Sequence, residues 1–139
     1  MAHIQGHFFI MSTFILQVSG KAYGSAAPLH ALRFAKAAID EGHQILRVFF
    51  YQDGVFNASS LGSPASDEFN VYRAWHELAC EHKVELVNCV SAALRRGMVS
   101  REEAETQGLS HWNVDDGFHN GGLGELVSGI AKADRLVCF

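Results

Sequence analysis

Val84–Gly97 reads Val-Glu-Leu-Val-Asn-Cys-Val-Ser-Ala-Ala-Leu-Arg-Arg-Gly. A short apolar run ends, a cysteine follows, and small residues lead into two arginines. The spacing predicts a strand over Leu86–Val90 followed by a helical turn, with Cys89 at the carboxyl end of the strand. Parallel α/β sheets place their chemistry at that edge. The positive end of the turn, with Arg95 or Arg96 nearby, would favour thiolate over thiol. Cys89 is therefore the leading candidate for a nucleophile. The competing reading is a buried, inert core cysteine, because free cysteine is among the most buried residue types.

Working outward, Phe14–Val18 is a β-favouring apolar run stopped by Ser19-Gly20, the pattern of a buried strand. Ala26–Glu41 carries Leu29, Leu32, Phe34, Ala35, Ala38 and Ile39 at helical spacing, with Pro28 in its first turn and Gly42 past its end. Ile45–Tyr51 is a second strand, followed by the polar connection Gln52–Ser66, expected to be a pocket wall or partner contact. Ser66 is the expected cap of the next helix, with Val71, Ala74, Trp75, Leu78 and His82 on one face. Ser100-Arg101-Glu102-Glu103 has the form of a capping box opening a helix that stops near Gly108. Gly117–Gly124 reads as a mobile loop leading into the helix Leu123–Lys132, and Arg135–Phe139 as a last strand. Strands alternating with helices imply a parallel sheet covered on both faces.

The chain has 139 residues, 48% of them apolar and 19% charged, enough for one domain with a proper core. A net charge of −4 gives no broad basic surface, so direct nucleic-acid binding is not expected. Cys80, Cys89 and Cys138 are odd in number and widely spaced, which suits a reducing compartment. Residues 1–12 are expected to be an extension or a remnant of expression, with Met11 an alternative start, and 13–139 the domain. The run Phe8–Met11 is too short to span a membrane, and the chain is expected in the cytoplasm.

Other constellations are weaker. Gly20-Lys21-Ala22-Tyr23-Gly24-Ser25 lacks both the dinucleotide and the Walker fingerprints, so a plain strand-to-helix turn that helps shape a pocket is expected. His76 and Cys80 share a helix face, but a metal site would need further ligands. Cys80 is expected to point outward and Cys138 to pack within the last strand. No Gly-x-Ser-x-Gly elbow anchors a hydrolase triad. Asp53, Asp67, Glu68, Asp115 and Asp116 read as cap and loop residues.

The assembled residues resemble the DsrE/TusD family of small sulfur-relay proteins from about Thr13 to Phe139. The matching segments are Gly20–Gly24, Val48–Val55, Ser63–Phe69, Arg73-Ala74-Trp75, Asn88–Gly97 and Gly121–Gly124. The resemblance implies a single-domain three-layer α/β sandwich, DsrE-like and flavodoxin-like, with a mostly parallel sheet of four or five strands. It implies a sulfurtransferase whose active cysteine is Cys89, carrying sulfur as a persulfide without metal or other cofactor. A TusA-like donor would supply the sulfur and a TusE-like acceptor would take it, toward 2-thiouridine at the tRNA wobble position. TusB-like and TusC-like subunits would complete a dimer of heterotrimers. Two alternatives stay open: a DsrE-type subunit relaying sulfur to DsrC in sulfur oxidation, and a structural paralogue whose cysteine is silent. Backbone amides after Cys89 would hold negative charge on sulfur, while Arg95 and Arg96 either help them or serve a structural role.

Overall fold

Apolar β-branched and aromatic residues dominate three runs that form the centre of one sheet. The computed structural model describes residues 9–139. The elements run β1 (Thr13–Val18), α1 (Ala27–Asp40), β2 (Gln44–Phe50), a 3-10 segment (Gln52–Ala58), α2 (Val71–His82) and β3 (Glu85–Cys89). They continue with α3 (Val90–Arg95), α4 (Arg101–Gln107), β4 (His119–Gly121), α5 (Leu123–Lys132) and β5 (Arg135–Cys138). The strand order is β4-β3-β2-β1-β5, and each pairing is parallel. The expected α/β sandwich is therefore present, with five strands.

Register partners in a parallel sheet share a face. Val18, Phe50, Asn88 and Asn120 form one such row, on the side where Phe14 meets Phe34 of α1 and Phe50 meets Trp75 of α2 edge-on. The other face carries Ile15 and Arg47, and α5 lies across it. Gly129 of α5 rests on Ile15, and Arg47 donates to the Glu125 carbonyl. Between these layers Ile15, Leu16, Val48, Phe49, Trp75 and Val87 are fully buried, and their removal from water drives the packing.

Three local expectations are corrected. The second helix starts at Val71, not after Ser66: the Asn70 side chain accepts from the Arg73 N–H at 2.9 Å and takes the cap. The segment before it closes a separate turn through Glu68 N–H and the Ala65 carbonyl. His82 lies in the last turn and is exposed, because the helix stops at Lys83, whose φ is 54°. Within Gly117–Gly124, residues 119–121 pair with β3 as the edge strand β4. The capping box at Ser100 forms as read, with reciprocal Ser100 and Glu103 bonds.

The expected extension, residues 1–12, falls largely on residues 1–8, outside the described ones. Phe9 stacks on His43, and Ser12 N–H donates to His43 Nδ1 at 3.0 Å. Among the described residues no helix is long and apolar enough to cross a membrane.

Candidate functional site at the carboxyl edge of β3

Cys89 is the last residue of β3 and the N-cap residue of α3, with φ −61° and ψ 113°. The strand delivers it to the carboxyl edge of the sheet, as the sequence predicts. Alternation along β3 puts its side chain on the face of Val87, the side covered by α5. Gly121 of β4 is its register partner. A Cβ at Gly121 would crowd the Glu125 carboxylate and a Val87 methyl, so the glycine leaves room for both side chains beside the thiol. Cys89 itself is 3% exposed. The reactive reading expected an accessible sulfur, and in the single chain the thiol is covered.

The segment read as a polar loop is partly an ordered, buried element. Its first half, Gln52–Ala58, is a 3-10 helix with Gly54, Val55, Asn57 and Ala58 buried. Gly54 approaches the Val18 carbonyl so closely that a Cβ would overlap it. Asn57, fully buried, donates to the carbonyls of Gly20 (3.0 Å) and Gly54 (2.8 Å). Its oxygen accepts from Trp75 Nε1–H at 3.1 Å. One amide thus joins the β1–α1 loop, the 3-10 segment and α2. Sequence pattern gave no sign of this role, since an asparagine in a Gly/Ser/Asn-rich stretch looks like any turn residue.

The arginines are used structurally. Arg96 Nε meets Asp53 Oδ1 at 2.9 Å and its guanidinium also donates to the Ala92 carbonyl at 3.1 Å. This ties the far end of α3 to the 3-10 segment. Arg95 closes the last turn of α3 and is exposed. Six residues of helix, about 9 Å, separate that end from Cys89, and of the two roles the sequence left open Arg96 takes the structural one.

The Gly20–Ser25 loop frames a cavity of about 340 Å³ lined by Lys21, Tyr23, Phe56, Asn57 and Tyr72 among others. Tyr23 O–H donates to the Phe69 carbonyl at 3.0 Å. The loop does shape a pocket, but Cys89 is not part of its wall. Ser59, Gly62, Ser63 and Pro64, the second half of the expected partner-contact loop, line this cavity and its neighbour. Tyr72 is shared by both cavities. Burial first, then the charge of Asp115 and a hydrogen bond to it, raise its pKa above the usual phenol value.

Cys80 is exposed, with Sγ 3.7 Å from His76 Nδ1. Among the described residues no group of three or more His, Cys, Asp or Glu side chains is arranged to hold a metal ion. Cys138 is exposed rather than packed, because β5 is the sheet's outer strand. His119 Nε2 lies 3.1 Å from Glu125 Oε2.

The profile of the DsrE/DsrF-like family matches residues 11–139. The chain belongs to the DsrE/DsrF-like family. Proteins named sulfurtransferase TusD homolog from Vibrio parahaemolyticus and Vibrio vulnificus are 48% and 49% identical to it, over 91% and 93% of this chain and 97% and 100% of theirs. The sulfurtransferase TusD of Cronobacter sakazakii is 49% identical over 91% of this chain and 98% of its own. Among solved structures, the ychN protein of E. coli superposes with a TM-score of 0.68 at 22% identity, covering 94% of this chain and all of that one. The latter likeness concerns the fold alone. The resemblance read from the sequence is borne out, and the expectation of a sulfurtransferase agrees with the names of these relatives.

Proposed function

We propose that the chain is a sulfurtransferase subunit that carries sulfur as a persulfide on Cys89. The observation that supports this most directly is the position of Cys89 at the carboxyl end of β3 in a chain about half identical to TusD sulfurtransferases along nearly its whole length. In the first step the Cys89 thiolate attacks the outer sulfur of a donor persulfide. A Cys89 S–S bond forms, the donor's S–S bond breaks, and the donor leaves as a thiolate. In the second step an acceptor thiolate attacks the outer sulfur of Cys89–S–SH, and the Cys89 thiolate leaves. Each step is thiol–disulfide-type exchange with no net oxidation. The donor is TusA-like, the acceptor TusE-like, and the end product 2-thiouridine in tRNA.

Sister subunits of the TusB and TusC kind complete the proposed assembly, and an exposed apolar surface supports a protein partner. Leu123, Val127 and Ile130 of α5 are 51%, 64% and 40% exposed, and Leu136 of β5 lies exposed nearby in the fold. An apolar face of this kind on the side of the sheet that bears Cys89 suits a protein interface. Exchange requires that the covered thiol be uncovered, and docking of donor or acceptor against α3 and β4 is the step that would do so.

The test is intact-protein mass spectrometry after incubation with a persulfidated donor, with the partner subunits present, on wild type and Cys89→Ser. A reducible adduct of one sulfur atom on Cys89, absent from the variant, is expected. The burial of Cys89 favours one other reading, a structural paralogue with a silent thiol. Absence of any adduct on the assembled complex would select it.

A further inference from the structure

Asn88, next to Cys89 but on the opposite face of the sheet, is wholly buried and only half of its amide is used. Its Nδ2 donates to the Val55 carbonyl at 3.3 Å, while its Oδ1 is buried without a donor. Directly across the β3–β4 pairing stands Asn120, which repeats the pattern. Its Nδ2 donates to Glu103 Oε2 at 2.7 Å, and its Oδ1 is likewise buried without a donor. Turning either amide over would set its oxygen against the Val55 carbonyl or the Glu103 carboxylate, acceptor against acceptor. Both oxygens are therefore held as acceptors, on one face of adjacent strands about 5 Å apart.

We propose that a buried water molecule is bound between Asn88 and Asn120, donating one O–H to each Oδ1. Buried polar atoms in folded proteins are almost always paired, and a water bridging two of them is the common solution where protein donors are lacking. A cation is the poorer occupant. The Glu103 Oε2 is already engaged by Ser100 N–H, the Ser100 hydroxyl and Asn120 Nδ2, and two amide oxygens fall well short of the six or more oxygen ligands that hard cations take. The bridge has a structural consequence for the thiol. β4 has three residues, too few for its backbone bonds alone to specify a register strongly. A slip by one residue would move Asn120 to the other face, away from the water, and Gly121 away from Cys89. The water and its two amides pin β4 so that the residue beside Cys89 is the glycine.

The inference does not depend on the chemistry proposed for Cys89. A crystal structure of the unchanged protein that resolves ordered waters should show one within hydrogen-bond reach of both Oδ1 atoms. Neither oxygen meeting a water, or either accepting from a protein donor, overturns the proposal. A double-mutant cycle adds an energetic readout in solution. Asn88→Leu and Asn120→Leu should each lower the folding equilibrium constant by roughly 5- to 100-fold, because each leaves buried partners unpaired. The double variant should retain at least about fivefold more stability than the product of the two losses. Losses that multiply within about twofold would overturn the bridge. Should a single variant fail to fold, the crystal structure of the unchanged protein decides.

Discussion

Replacing Asn57 by alanine should be among the most damaging single changes outside the apolar core. The substitution removes three hydrogen bonds, to the Gly20 carbonyl, the Gly54 carbonyl and Trp75 Nε1–H, from a side chain that is fully buried. Each such bond contributes about 1 kcal/mol net, and each buried partner left alone adds about 1–3 kcal/mol. The Gly20 carbonyl is only partly buried, and its access to water keeps the sum near 3–5 kcal/mol. A domain of this size holds roughly 5–15 kcal/mol in total, so the variant should still fold. With a urea dependence of about 2 kcal/mol per M, the midpoint should fall by roughly 1.5–2.5 M with little change in slope. Urea unfolding followed by circular dichroism gives that number directly. Asn57→Asp refines the argument, because it keeps an acceptor for Trp75 but turns acceptors toward two carbonyls. Its carboxyl pKa should be raised in the folded state, so more protons are bound folded than unfolded and stability should fall as pH rises. A midpoint shift below about 0.5 M for Asn57→Ala would refute the claim that this amide joins three elements.

Other expectations follow from single contacts. Thr13 N–H and hydroxyl donate to Asp134 Oδ2 at 2.8 and 3.1 Å, and these bonds lower the Asp134 pKa. Their support is present above the unfolded value of 3.8 and is lost as pH falls through the lower folded value. Asp134→Asn should therefore flatten the acid limb of the stability profile measured by thermal unfolding across that range. Asp53→Asn breaks a partly exposed ion pair with Arg96 and should cost only about 0.5 kcal/mol, with sulfur loading retained. Full folding with loss of loading would instead show that Arg96 acts on the sulfur. Asp115→Asn should lower the Tyr72 pKa toward the ordinary phenol value of 10.0, read by ultraviolet titration against Tyr72→Phe. An unchanged phenol titration would show that burial alone holds it up.

Much of the architecture was legible because it is written in near neighbours. β1, β2, β3 and β5 are runs of apolar residues between turn signals, α1 and the buried stripe of α2 follow helical spacing, and the capping box at Ser100 spans four residues. The segments that misled carry local signals that tertiary contacts overrule. Ser66 looks as good a cap as Asn70, and the choice falls to Asn70, where the chain meets α2 in extended form. The half-buried 3-10 segment has the composition of a loop, yet Gly54 and Asn57 are there for a close backbone approach and an interior amide. β4 has no strand composition at all, and pairing with β3 alone makes it one.

The sequence by itself determined the class of fold, the place of Cys89 at the end of a strand and the family, since each rests on order and spacing along the chain. Only the tertiary structure decided that Cys89 is covered, that Arg96 reaches Asp53 forty-three residues away, that Cys138 lies on an open edge, and that Asn88 stands opposite Asn120. Those facts depend on which surfaces meet when strands far apart in the chain come into register. No local periodicity records such meetings.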